Sequence, residues 1–78
     1  MIRHIVFWKF RPDADPEPFL QALSALPEQI DWIRGMHVAR SAAPNAAWDA
    51  ALEVDFDTLE DVARYRDDPR HKKVSALC

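Results

Sequence analysis

Three histidines and a single tyrosine are the side chains of this sequence best suited to acid–base chemistry. A general acid or base needs a pKa near the working pH, which histidine has, and a nearby tyrosine hydroxyl can polarise a carbonyl or stabilise an enolate. His71 and Tyr65 lie close together in the sequence, and His4 lies near its beginning. They are candidates for a proton-transfer site. The alternatives are that Tyr65 packs its ring under the sheet, that His71 orders the loop after Pro69, and that His4 is a hydrogen-bonded core histidine.

Other kinds of reactive centre find no support in the residue pattern. The three histidines lack the spacing of a metal site, and the only cysteine, Cys78, has no partner nearby to lower its pKa. The third histidine, His37, alternates with the apolar Met36 and Val38 and is expected to be an ordinary strand residue. The sequence therefore predicts no metal, no cofactor and no cysteine nucleophile.

Composition and charge argue against several classes of partner. The 78 residues carry a formal net charge of −3, and their Lys and Arg residues are scattered rather than gathered in a stripe, which argues against nucleic acid. No apolar run approaches the roughly 20 residues that cross a membrane, and no export signal is recognisable. A lone cysteine without an export signal predicts a location in the reducing cytoplasm.

The first strand predicted from the sequence, Ile2–Phe10, is apolar on both faces. Successive side chains of a strand point to opposite sides. Two apolar rows result, with Val6, Trp8 and Phe10 on one side and Ile5 and Phe7 on the other. His4 continues the first of these rows. A strand that is apolar on both sides must be covered on both sides.

Two helices and two further strands follow from periodicity and from start and stop signals. The predicted elements are a helix from Asp15 to Pro27, strands over Met36–Ser41 and Trp48–Phe56, a helix from Thr58 to Asp67, and a helical tail over Arg70–Cys78. Gly35, the only glycine, is expected to need a positive φ before the second strand. The order β-α-β-β-α indicates an α+β fold of the ferredoxin-like split β-α-β type that lacks its last strand.

The predicted fold leaves one face of the first strand uncovered. Both helices of such a unit lie on the same side of the sheet, so the other apolar row needs a cover that these residues do not supply. A single domain over residues 1–78 has a small core, and one cysteine allows no internal disulfide. We therefore predict a homodimer in which two sheets pack face to face about a two-fold axis.

Three segments of the sequence carry a resemblance to a known family. They are the stretch HIVFWKF (His4–Phe10), the strand LEVDF (Leu52–Phe56) and the segment YRDDPRH (Tyr65–His71). They resemble the stress-responsive A/B barrel domain (Dabb) family, whose opening reads roughly H-[IV]-V-x-[FLW]-K-F and whose later motif reads roughly Y-x-x-H-P-x-H. The resemblance implies a ferredoxin-like protomer and a homodimer with a barrel-like cavity, in a family whose members mostly have no assigned reaction.

The resemblance also implies roles for the candidate site residues. A few related plant proteins are polyketide cyclases, which use the tyrosine and histidine of the later motif to promote an aldol-type ring closure. By this resemblance His71 is the base, Tyr65 the hydrogen-bond donor to the substrate oxygen, and His4 a second cavity group. Two positions depart from the cyclase pattern, because Asp68 replaces the first histidine of the later motif and Ala50 replaces a cavity histidine.

The large apolar residues of the predicted sheet allow two interpretations. Val6, Trp8, Phe10 and Trp48 either line a small apolar cavity for a flat, small ligand or form the core between two sheets. The leading hypothesis is a Dabb-family homodimer of undetermined activity that encloses a small apolar cavity. The alternatives are a cofactor-free cyclase or isomerase and an assembly module without a ligand. The final strand typical of the family is missing here, as it would be in a truncated domain.

Overall fold

Helices and strands follow one another in the order that the sequence predicts. The computed structural model describes all 78 residues of the chain. The elements are β1 (Ile2–Trp8), α1 (Glu17–Ser24), β2 (Gly35–Arg40), β3 (Ala50–Phe56), α2 (Leu59–Asp67) and α3 (Pro69–Ser75), with a 3-10 turn over Leu26–Glu28. The predicted α+β architecture is confirmed, and the fourth strand of the ferredoxin-like pattern is absent from these residues. None of the helices is long and apolar enough to cross a membrane.

β3 is the central strand of a three-stranded antiparallel sheet with the order β1-β3-β2. Val54 of β3 pairs with His4 of β1 on one side and with Met36 of β2 on the other. The outer edge of β1 has no strand beside it within these residues. Both outer strands are thus held in register by the same central strand.

The two faces of β3 differ in polarity, and the helices cover the apolar face. Ala50, Leu52, Val54 and Phe56 are each at most 2% exposed and belong to the core. Side chains in between, including Glu53, point to the opposite side, which no helix covers and which we call the open face. The polar side of β3 is therefore directed away from the helices, a choice that the alternation alone leaves undecided.

Apolar side chains from every part of the chain hold the helix layer against the sheet. The buried residues are all apolar or aromatic, and they form one continuous cluster. α1 contributes Phe19, Leu20 and Leu23, whereas α2 and α3 contribute Tyr65 and Val74. Tyr65 is therefore the only buried residue that brings a polar side-chain atom into this core.

Side-chain caps define where the second and third helices begin. The Thr58 hydroxyl accepts a hydrogen bond from the Asp61 backbone N–H at 3.1 Å, as predicted for the start of α2. Asp68 ends α2 with an extended backbone, and its carboxylate accepts a hydrogen bond from the Arg70 N–H at 2.8 Å. Pro69 follows at the first helical position, so α3 begins immediately after α2 ends.

Two local predictions between α1 and β3 are wrong. Gly35 has no positive φ, and the residue that does adopt one is Asn45, at 60°, in the loop before β3. The Arg34 N–H already donates to a β3 carbonyl, so the chain is extended beside β3 when it reaches Gly35. α1 ends at Ser24 rather than near Pro27, because the chain tightens into the 3-10 turn that contains this proline.

β1 and β3 are shorter than predicted because Asp49 interrupts their pairing. Its backbone N–H donates to the Trp8 carbonyl at 2.8 Å, outside the register that pairs Trp8 with Ala50. Its carboxylate accepts a hydrogen bond from the Phe10 N–H at 2.7 Å, in place of a strand partner. β1 therefore ends at Trp8 rather than Phe10, and β3 begins at Ala50 rather than Trp48.

The open face of the sheet has a polar half and an apolar half. In the polar half, Arg3 forms a bidentate pair with Asp55 at 2.8 and 3.1 Å and lies 3.9 Å from Glu53. In the apolar half, Ile5 and Phe7 are 50% and 60% exposed. The second apolar row of the first strand is therefore uncovered in the single chain.

We expect Thr58→Ala to destabilise the chain by about 1 kcal/mol, because the Asp61 N–H at the start of α2 loses its acceptor. Thr58→Ser keeps the hydroxyl and should stay close to the wild type. Urea denaturation followed by circular dichroism measures the free energy of unfolding of both variants. An equal loss in the two variants would contradict the capping role.

We also expect the free energy of unfolding to fall in acid, with Asp68 as one contributor. Hydrogen bonds from Arg70 lower the pKa of Asp68 from its ordinary value of 3.8 to about 2. A carboxyl whose pKa is lowered by folding stabilises the fold above its unfolded pKa, and this contribution is lost as the pH falls towards the folded value. Asp68→Asn keeps a cap without the charge, so its stability should fall less steeply between these two pH values in urea titrations. The same slope in both proteins would refute the assignment.

Candidate functional site

Tyr65 lies near the end of α2 with its ring buried between the sheet and α3. Its ring centroid is 5.1 Å from that of Phe56 on β3 and 4.3 Å from that of His71 on α3. Residue 65 points inward because it follows Val62 by three positions, on the same side of the amphipathic helix. α2 thus delivers a tyrosine to the core, and the break at Pro69 brings His71 against it.

The Tyr65 hydroxyl is the one buried side-chain nitrogen or oxygen without a hydrogen-bond partner. Burial raises the pKa of Tyr65 to about 12, so the hydroxyl keeps its proton at neutral pH. Leaving such a group unpaired costs about 1–3 kcal/mol, and buried tyrosines usually find a partner. The hydroxyl is therefore a buried donor that has no acceptor within the chain.

A hydrogen bond to a backbone carbonyl determines which nitrogen of the neutral His71 ring carries the proton. Nδ1 lies 3.1 Å from the Arg66 carbonyl oxygen, which can only accept, so Nδ1 donates. In the neutral ring Nε2 is then an acceptor, and the Ser75 hydroxyl lies 3.4 Å from it. His71 therefore presents a lone pair at Nε2 with a single, long hydrogen bond to it.

His4 of β1 approaches the same pair of residues from the sheet. It points to the helix side, in register with Val54, and is partly buried. Burial, and after it the charge of the neighbouring His71, lowers the pKa of His4, which favours its neutral form. Tyr65 and His71 are therefore in direct contact, and His4 lies near enough to His71 for their charges to interact.

We call these three residues the His–Tyr site, which combines a phenol donor with two imidazoles. Such a set can remove a proton next to a carbonyl and stabilise the resulting enolate through the phenol. No three His, Cys, Asp or Glu side chains of the chain are arranged to hold a metal ion. Asp68, which replaces the first histidine of the motif, is committed elsewhere, because both of its carboxylate oxygens accept hydrogen bonds from Arg70.

None of the cavities of the structure is lined by the His–Tyr site. The helix side of the sheet is filled by packed aromatic rings. The ring centroids of Trp8 and Phe10 lie 5.3 and 6.3 Å from that of Phe19 on α1. Val6 packs against the same core. Val6, Trp8 and Phe10 therefore lie on the helix side of the sheet and not on its open face, and Phe10 lines the cavity at the end of β1.

Trp48, the fourth residue predicted to line a cavity, lies on the other side of the sheet. Its ring packs edge-on against that of Phe7, with centroids 5.8 Å apart and planes at 61°. Trp48 leaves the alternation of β3 because Asp49 interrupts the strand pairing. The four predicted lining residues are thus divided between the two faces of the sheet.

The largest cavity lies at the far end of β1 from His4. It has a volume of about 520 Å³ and is framed by the loop between β1 and α1, the start of α1 and the end of β2. Its charged residues include Arg11, Glu17 and Arg40, none of which is singled out by the sequence. No local motif marks them, because they come from separate segments that only the fold brings together.

Comparisons with known proteins bear on the family of the chain. The family model described as Stress responsive A/B Barrel Domain matches residues 2–78. A search of curated proteins found no match. Among solved structures, a dimeric protein of unknown function and ferredoxin-like fold from Bacteroides fragilis NCTC 9343 is 34% identical, with a TM-score of 0.85 over 96% of this chain and 80% of that chain.

Two further structures are similar to the chain. A dimeric ferredoxin-like protein of unknown function from Thermobifida fusca YX is 25% identical, with a TM-score of 0.81, over 96% of this chain and 74% of that chain. A protein from Arabidopsis thaliana is 18% identical and shares the fold, with a TM-score of 0.80 over 96% of this chain and 79% of that chain. The family match covers almost every residue and agrees with the observed fold. The chain therefore belongs to the stress-responsive A/B barrel domain family.

Proposed function

We propose that the protein works as a homodimer joined through the open faces of two sheets. The observation that carries this proposal is the exposure of Ile5 and Phe7, at 50% and 60%, side by side on one strand face. Contiguous apolar surface of this kind marks interaction sites on soluble domains. The similar proteins from B. fragilis and T. fusca are both described as dimeric, which supports self-association here.

The apolar half of the open face forms a row across the sheet. Phe7 pairs with Ala51, Ala51 pairs with Ala39, and Trp48 packs against Phe7. Two sheets pack about 10 Å apart, so a row with rings at one end and methyl groups at the other leaves space unfilled. This space is the small apolar cavity that we propose for the dimer, with a lining that differs from the one predicted from the sequence.

The polar half of the open face tolerates a partner because most of its charges are already paired. Arg3 holds Asp55 through two hydrogen bonds and lies near Glu53. His37, in register with Glu53, adds a further polar group. Paired charges at an interface contribute little affinity but fix the orientation of the two copies.

We expect Phe7→Asp to convert the dimer into a monomer, because it places a charge in the middle of the apolar half of the open face. Light scattering across a concentration range should give twice the 9.0 kDa chain mass for the wild type and the chain mass for the variant.

Leu59→Asp is the matched control, since Leu59 is 71% exposed on α2 and lies away from the open face. It should leave the dimer mass unchanged. A wild type that stays monomeric at every concentration, or an equal change in mass in both variants, would refute the dimer proposal.

A second candidate function, a cofactor-free enzyme of the cyclase or isomerase kind, is supported by the unpartnered Tyr65 hydroxyl. A buried donor without an acceptor suits a site that is completed by a substrate oxygen. The Tyr65 hydroxyl would donate to a carbonyl oxygen, Nε2 of His71 would take the proton from the adjacent carbon, and His4 would be a further polar group. Because no cavity reaches the site, a ligand would have to displace packed side chains to enter it.

We expect Tyr65→Phe to raise the free energy of unfolding by about 1 kcal/mol, because it removes a buried hydroxyl that has no partner. The catalytic role predicts that Tyr65→Phe loses catalysis of α-proton exchange.

This exchange is measured by NMR on 4-phenyl-2-butanone in D₂O, a probe that needs no knowledge of the natural substrate. His71→Gln should lose the exchange as well, since it removes the Nε2 base.

Lys72→Gln is the control for His71, because it changes a neighbouring exposed residue of α3 outside the His–Tyr site. It should keep the wild-type exchange rate. A wild-type rate no faster than buffer would refute the enzyme proposal and leave the dimer as an assembly module without a ligand. A loss of stability in Tyr65→Phe would show that the hydroxyl has a partner in solution.

A further inference from the structure

We propose that the cleft at the end of β1 binds a small organic monocarboxylate, with Arg11, Arg40 and Ser41 around its head and Phe10 and Leu20 under its apolar body. The cleft lies at the far end of β1 from His4. Its volume of about 520 Å³ falls within the range of ligand pockets. The inference does not depend on the dimer or on the acid–base chemistry proposed above.

The two acidic side chains of the cleft already have partners. Both Glu17 oxygens accept hydrogen bonds from Arg40 Nε and Nη2, at 2.8–3.1 Å. The Asp49 oxygens accept from the Lys9 ammonium at 3.3 Å and from the Phe10 N–H at 2.7 Å. These contacts lower the pKa of both carboxyls, so both stay ionised and paired at neutral pH. They leave little acceptor capacity in the cleft for a cationic ligand.

Several donors of the same cleft remain free. Arg11 has no hydrogen bond or ion pair through its guanidinium, and Nη1 of Arg40 has no partner. The Ser41 oxygen accepts from the Ala43 N–H at 3.3 Å, which leaves its O–H free to donate. Guanidinium groups are well matched to carboxylates, so the unused capacity of the cleft favours an anion.

The net charge and the apolar lining of the cleft restrict the chemical class of the ligand further. Three cationic and two acidic side chains leave one excess positive charge, which suits a monoanion better than a phosphate dianion. The lining of the cleft also includes the apolar residues Phe10, Leu20, Pro12 and Pro16. A carboxylate head on an apolar body matches both features.

Two hydrogen bonds hold the backbone of the loop that carries Arg11. The Ala14 N–H donates to the Arg11 carbonyl at 3.0 Å, which closes a turn with Pro12 at its second position. Asp15 of the same loop is turned towards α1, where it accepts from the Glu17 N–H at 3.1 Å. Asp13 lines a smaller neighbouring cleft. The backbone of this loop is therefore fixed before binding, which lowers the backbone entropy lost on binding.

The test is a titration of the ¹⁵N-labelled 78-residue chain with benzoate, followed by NMR. We expect saturable shifts at the amides of Ala14 and Ser41 and at the Arg11 Nε–H. Arg11→Gln should weaken benzoate binding about tenfold or more, the loss expected for one charged hydrogen bond. Benzyl alcohol, a neutral probe of similar size, should bind more weakly than benzoate by a similar factor.

Arg66→Gln is the control for net charge, because Arg66 is exposed on α2 and its side chain contacts only Asp67, at 3.5 Å. It should bind benzoate as the wild type does. Equal weakening by Arg11→Gln and Arg66→Gln would mean unspecific attraction and would overturn the site. Shifts without saturation, or shifts centred on His4 and Tyr65, would overturn it too.

Discussion

Burial of one face of β3 against the helices is the constraint on which the rest of the structure depends. Val54 and Phe56 are fully buried, and β3 pairs with both other strands. A slip of one residue in this strand would turn Glu53 and Asp55 into the core, so the register is strongly specified. Through that register the same constraint decides which residues of β1 and β2 point to the helices. It places His4 under the helices and leaves Ile5 on the open face.

The junction between α2 and α3 positions His71 of the His–Tyr site through local capping interactions. Asp68 stops α2, caps α3 and binds the Arg70 guanidinium, which also donates to the Gln29 carbonyl. Asp68 thus has a clear structural role here. Because α3 starts directly behind Pro69, His71 is held against Tyr65 with its Nδ1 fixed by a backbone carbonyl. Position and tautomer of the imidazole are therefore both set by the backbone.

Acid–base groups and open space lie at different ends of the molecule. The His–Tyr site has the unpaired phenol but no cavity, whereas the cleft at the end of β1 has space and free guanidinium donors but no imidazole. Phe56 and Tyr65 pack against each other in the core near the histidine end of the strand. The two candidate sites therefore differ in how tightly they are packed as well as in which side chains they contain.

Local signals in the sequence determined the element order, the cap at Thr58 and the doubly apolar first strand, because alternation and capping act over a few residues. They also singled out His4, Tyr65 and His71, through a resemblance that the family match bears out. The tertiary structure alone decided which face of β3 meets the helices, where Trp48 points and which charged groups share a cleft. Each of these depends on contacts between distant segments, such as Asp49 with Phe10 or Arg40 with Glu17. Periodicity along the chain carries no information about such pairings.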